Sequence, residues 1–443
     1  NSGGDWRIIG VSLRSAGVAE QLNPQDGLYT VTAKQGDFTE HRLIGAVTKV
    51  LVAPQNPSAV ISAMAMPSIK VITLTVTEKG YHYDLAKQAI DLSSADIQHD
   101  IANPDSPVSM PGFIVAACRQ RSINHPDAKL SVISCDNLPS NGQITRDVVL
   151  ALAHQQEPAL ADWIKTHIRF CSSMVDRIVP AVTDQHRAEL SAAVGFDDQA
   201  MVQTETFKQW VIEDNFADAT PDWASAGALI VDNVESYEHL KLRTLNGSHS
   251  ALAYMGVLLG YTWIHEAIND ELLGEFVQQM MVQESGPSIL MPKGFDLATY
   301  QQDIIKRFKN EQIPYACQQV AMDGSQKIVQ RIFAPIIDNL SKADAASIKR
   351  LVCVIACWLC YLKGVNEQGE KFDISDPQGD TLQSIVLQHT NPNELIKALC
   401  AQTNVFPQLL QDDKRFVDEL SAALYAIQNN GLKAYVSGLV HSS

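Results

Sequence analysis

Long apolar runs are missing from this chain: the stretch Leu351 to Leu362 falls short of the roughly 20 residues needed to cross a bilayer. Its first residues, Asn1 to Trp6, lack the charged and apolar regions of a signal peptide. Basic residues are in the minority, 34 Lys and Arg against 50 Asp and Glu, giving a formal net charge of -16. That sign argues against a nucleic-acid or anionic-membrane surface. It does not argue against a small anionic substrate, because a few local cations can build an anion site inside an acidic protein. The eight cysteines lack the short paired spacings of a zinc site or a disulfide framework. Only Cys353, Cys357 and Cys360 cluster, on one face of a helix, and they read as small buried core residues rather than metal ligands. A reducing cytoplasm is the compartment these absences fit.

What is present is ordinary globular composition, 46% hydrophobic and 19% charged over 443 residues. That length exceeds what one core supports, so two domains are expected, with a boundary near Asp232 (1–231 and 232–443). The first half alternates strands and helices. Trp6 to Leu13, Leu28 to Ala33, Leu43 to Val52, the β-branched run Ile69 to Val76, and Leu130 to Ser134 read as strands. Ser58 to Met66, Gly112 to Arg121 and Ile144 to Gln155 read as helices. This rhythm implies a mostly parallel sheet with crossover helices, and ligands then sit beyond the carboxyl ends of the strands. Arg14-Ser15, Thr77 to Gly80, and Cys135 to Asn137 lie at such ends. From Val234 onward helical periodicity dominates: 237–261, 271–283, 297–308, 326–340, 345–362, 382–388, 392–401 and 413–429. Residues 364–380 read as a surface loop. The expected architecture is an α/β, Rossmann-like N-terminal domain and a mainly α-helical C-terminal domain.

The segment Lys241 to His249 opens one of those helices. At about 100° per residue, Lys241, Asn246 and His249 fall within an arc of roughly 140°. Three different polar functions thus share a side. Gly247 sits among them although glycine costs a helix about 1 kcal/mol relative to alanine, which makes sense where a ligand or another backbone approaches closely. The bland alternative is an exposed polar face.

Lys-x4-Asn-x2-His, as Lys241, Asn246 and His249, resembles the signature of the polyol-specific long-chain dehydrogenases, the mannitol dehydrogenase family. Further stretches match in family order: Thr77-Glu78-Lys79-Gly80-Tyr81, Ser134 to Asn137, Met174 to Pro180, Gln209 to Phe216, and Asp323 to Lys327. Their wording is most similar to the fructuronate reductases (D-mannonate oxidoreductases). The resemblance implies an enzyme that passes a hydride between NAD(H) and a sugar acid or polyol, most closely D-fructuronate and D-mannonate. It implies Lys241 as general acid and base, Asn137 and Asn246 as amides binding the reacting oxygen, His249 as a substrate-orienting imidazole, and Glu238 in proton passage. A lysine with an ordinary pKa near 10.4 must be brought towards neutrality for such work, and desolvation does so. The bland reading of Glu238 is an i,i+3 surface ion pair. Lys79, Lys327, Arg331 and Arg177 are the substrate-binding candidates, with Lys79 expected to help select a carboxylate-bearing sugar. Arg14, Ser15, Thr77, Glu78, Asn137 and Asp176 are the cofactor-side candidates. Gln319 stands where mannitol-type members carry arginine, and Ala316 where close fructuronate reductases carry a basic residue.

The resemblance also implies a Gly-rich loop and first β-α unit that this sequence does not contain, Gly3-Gly4 being followed by Asp5-Trp6. Either the sequence is a piece of a longer protein or normal cofactor binding is lost, and weak NADH binding is expected of it. Arg14-Ser15 replaces the usual acidic residue at the adenosine ribose, so NADP stays open beside NAD. No metal is expected. The alternatives are another ketose or hexuronate as substrate (tagaturonate, fructose and mannitol) or a catalytically silent binding protein on this scaffold. A monomer without nucleic-acid or membrane partners is the expected state.

Overall fold

The structure is a computed structural model and describes residues 6–84, 87–292, 294–342, 347–401 and 405–442. Two compact units result, the first ending at Glu235 and the second beginning at Ser236.

The first unit is α/β. Val71–Leu74, Leu130–Ser134 and Ile168–Cys171 form one parallel ladder. Ile8–Ser12 pairs in parallel with Val47–Val52 in another. Ile8–Ser12 and Val71–Leu74 each stand at an edge of their ladder among the described residues. Apolar content explains the burial: every residue of Leu130–Ser134 is buried, as expected of a strand covered on both faces. Helices Met110–Asn124, Asn141–Gln156 and Pro158–His167 supply that cover. Met110–Asn124 also packs Phe113 and Ala116 on Ala53, Val60 and Ile61 beside the second ladder, so one helix serves both. The helices start where the chain offers a cap followed by proline. Asn56 accepts from Ala59 N–H before Pro57, and Ser109 accepts from Gly112 N–H before Pro111.

One expectation needs correction here. The stretch 43–52 is not one strand: Phe38–Ile44 pairs antiparallel with Tyr29–Gln35, and only Val47–Val52 joins Ile8–Ser12. Six of the seven residues of Phe38–Ile44 are exposed, so they carry no apolar alternation to read. The described pairings are mostly parallel, as expected, with Ser173–Asp176 against Gln209–Glu213 among the antiparallel exceptions.

The second unit is helical. Its centre is Lys349–Tyr361, buried from Arg350 through Leu359, against Gly247–Leu259, Lys414–Asn430 and Leu432–His441. The expected start of this central helix at Ala345 lies outside the described residues. Cys353 and Cys357 are buried in it, Cys360 partly so, and the described residues hold no metal-binding group of His, Cys, Asp or Glu. No described helix is long and apolar enough to cross a membrane. Three of the expected helices depart from α geometry. Segments Lys241–Asn246, Met281–Ser285 and Val329–Phe333 are π-helical. Such segments are rare and often sit at functional sites.

Candidate functional site

In the second unit the chain runs helically from Glu235–Leu240 through the π-helical Lys241–Asn246 into Gly247–Leu259. Gly247 N–H reaches back five residues to Leu242 O. The fixed 100° step therefore fails between Lys241 and Asn246. Five-residue hydrogen bonding makes roughly one turn of that interval, which draws the two side chains closer in azimuth than an α-helix would. Lys241 and Glu238 are buried, at 9% and 7% exposure, and Asn246 is half-buried. The intervening residues serve the fold. Arg243 is buried and pairs with Asp338 at 2.5 Å, and Leu245 enters the core.

Gly247 is explained by a neighbouring backbone. A Cβ there would stand 3.2 Å from Arg331 O, in the π-helical Val329–Phe333. The two irregular segments thus pack directly on each other. Arg331 also donates from Nη1 to Ser250 Oγ at 3.1 Å, one turn beyond Gly247.

His249 stacks near Phe308 (5.1 Å between centroids) and edge-on to Tyr315 (5.7 Å). Its Nε2 is buried without a hydrogen-bond partner. Burial first, then the charges of Arg331, Arg307 and Lys327, push its pKa down to about 3. The imidazole is therefore neutral at physiological pH. Three cations around one neutral ring form a local positive region in an acidic protein. Arg307, buried near the end of helix Leu297–Phe308, was not singled out by sequence; a cation there reads as a complement to the helix dipole. Lys327 is half-buried and donates to Met322 O at 2.5 Å. Gln319 is exposed, and Ala316 lies in an isolated bridge to Trp263.

In the first unit the expected residues gather at strand ends. Arg14 and Ser15 are exposed just past Ile8–Ser12. Thr77, Glu78 and Lys79 are exposed past Val71–Leu74, and Asn137 past Leu130–Ser134. Thr77 holds a left-handed φ of 65°, which a β-branched residue adopts only under constraint. The constraint is Asp136. Its Oδ2 accepts from Val76 N–H at 3.0 Å and from Tyr81 OH at 2.7 Å, and its Oδ1 accepts from Thr77 N–H at 3.0 Å. Tyr81 is fully buried, and burial holds its phenol pKa well above 10, so it remains a donor. Asn141 Nδ2 donates to Asp136 O and to Ser173 O, both at 2.8 Å.

Asp176 is buried and Arg177 exposed. The Arg177 guanidinium lies on Glu205 O at 3.2 and 3.4 Å, a backbone clamp apart from the Thr77 turn. Sequence reading quoted Asp136 and Tyr81 within matching stretches but gave them no role; only their partners reveal one.

Two family models match the chain: the mannitol dehydrogenase Rossmann domain over residues 2–225 and the mannitol dehydrogenase C-terminal domain over 233–428. The chain belongs to the mannitol dehydrogenase family of oxidoreductases. It is 38% identical to the D-mannonate oxidoreductase of Escherichia coli, over 98% of this chain and 90% of that protein. It is 37% identical to the mannitol 2-dehydrogenase of Phaeosphaeria nodorum, over 98% of this chain and 76% of that one. Among solved structures it is similar to the Pseudomonas fluorescens mannitol 2-dehydrogenase in ternary complex with NAD and D-mannitol. That match has a TM-score of 0.86 at 36% identity, covering 99% of this chain and 89% of that one.

Proposed function

We propose that this protein reduces a keto-hexuronate, D-fructuronate, to D-mannonate and catalyses the reverse oxidation. NADH supplies the hydride when bound, and the family's Rossmann domain is where it is held. The strand-end rim fits such a group: Thr77, Glu78 and Asn137 are exposed, on a turn whose backbone Asp136 fixes. The chain's own residues manage the proton and the oxygen. Lys241 donates its ammonium proton to the carbonyl oxygen as the carbon is reduced, and takes it back in oxidation. Asn137 and Asn246 donate amide N–H groups to that oxygen, stabilising developing negative charge without ionising themselves. Buried Glu238, one turn before Lys241, returns the proton to it. Neutral His249 orients the substrate through a ring nitrogen.

The observation that carries the sugar-acid reading is the cationic surround of His249, formed by Arg331, Arg307 and Lys327. A carboxylate is the substrate group such a surround favours. The similarity to mannitol 2-dehydrogenases keeps a second reading, fructose and mannitol, in play. The experiment is NADH oxidation across hexuronates and ketoses, with wild type and Arg307→Leu. The expected result is a preference for fructuronate, and a loss in its kcat/KM of about 10- to 100-fold in the variant, the worth of one charge-assisted contact. Turnover of fructose should change little. Equal losses on both substrates, or a wild-type preference for fructose, defeat the sugar-acid reading.

A further inference from the structure

We infer that Asp136 is a positioning residue that sets Asn137 and the Thr77 turn in one geometry; this rests on the role proposed above for Asn137. The argument is geometric and lies within the first unit. Asp136 follows Leu130–Ser134 directly. Its carboxylate takes two backbone N–H groups and one phenol from the neighbouring strand end. Its own carbonyl is held by Asn141, whose side chain also receives Ser173 N–H at 3.0 Å. Three strand ends are thereby fastened around one residue: Val71–Leu74 through 76–81, Leu130–Ser134 directly, and Ser173–Asp176 through Asn141. Asn137 is the next residue along, and its backbone inherits that fixation.

The carboxylate is needed because both of its oxygens accept. An asparagine would offer one acceptor, and its NH2 would meet an N–H donor. The left-handed Thr77 would then lose a bond that holds it. A displacement near 1 Å of a positioned group can cost on the order of 100-fold in rate.

A double-mutant cycle tests this on the full chain with Asp136→Asn and Asn137→Ala. Asp136→Asn alone should lower kcat by about 10- to 100-fold and raise the KM for NADH. In the Asn137→Ala background the same change should cost little further kcat, because the group being positioned is gone. Full additivity overturns the inference. A merely structural defect would lower Tm and active fraction equally in both backgrounds and give that additive result. If Asn137→Ala alone leaves kcat unchanged, the proposed role of Asn137 fails instead. Should Asp136→Asn not fold by circular dichroism, Tyr81→Phe replaces it in the cycle, removing one of the three bonds, with the same pattern expected at smaller amplitude.

Discussion

At the residue scale, the local sequence named candidate groups but not their electrostatic setting. His249 illustrates the gap. Its place in Lys-x4-Asn-x2-His was legible, but Arg307 lies 58 positions away and comes near only through packing of Leu297–Phe308. The depressed pKa has a consequence for stability. The unfolded chain protonates this histidine near pH 6.5, the folded chain only near 3. As pH falls through that window the unfolded state binds the extra proton, so stability is full above about 6.5 and is lost towards 3. Replacing His249 with Asn should flatten the fall in stability over that interval, measured by urea denaturation at successive pH values. A slope identical to wild type would show that His249 is not protected from protons as described. Gly247 teaches the same lesson from the other side: its oddity in a helix was visible, but the cause, Arg331 O, was not.

At the element scale, periodicity found most helices and missed their irregularities. A π-helical segment adds residues to a turn without changing the apolar content, so 237–261 reads as one amphipathic run. Exposed elements such as Phe38–Ile44 and Asp184–Val194 left no burial pattern to detect. The most consequential irregular element is Met281–Ser285. Its Glu284 is fully buried and accepts from Arg350 N–H at 3.0 Å, Leu351 N–H at 2.9 Å and Ser347 Oγ–H at 2.8 Å. It thus caps the central helix from a different element, satisfying donors that the helix cannot bond itself. The Arg350 guanidinium lies 3.4 Å from the same carboxylate. Glu284→Ala would leave buried helix donors unsatisfied and the Arg350 charge without its carboxylate, although its guanidinium keeps Gln279 and Leu439 O as acceptors, and should cost about 3–5 kcal/mol. Thermal melting checks it; a Tm within a degree or two of wild type would mean the cap contributes nothing. The Arg350→Met, Glu284→Leu pair should be much less harmful than Glu284→Ala alone.

At the scale of the whole molecule, membership of the mannitol dehydrogenase family and a Rossmann-type unit followed by a helical one agree with the reading from sequence. A proposal about cofactor choice belongs to this scale too, and it rests on the side chains just past Ile8–Ser12. Arg14 and Ser15 are exposed there, and we propose that they take the place of the acidic residue that discriminates against a 2′-phosphate. Arg14→Asp should raise the ratio of kcat/KM with NADH to that with NADPH by about tenfold, the worth of one such charge contact. An unchanged ratio would remove Arg14 from the adenosine side. The sequence by itself determined the class, an α/β part followed by a helical one, and the motifs that carry the family resemblance, because hydrophobic periodicity and short motifs are local properties of a chain. The tertiary structure alone decided that Arg307 and Arg331 surround His249, that the Arg331 backbone dictates Gly247, and that Asp136 fastens the Thr77 turn. The segment Lys241 to His249 is accordingly more than a polar helical face. It is an irregular turn packed on a second irregular turn, and its electrostatic setting comes from residues that no local pattern could bring to it.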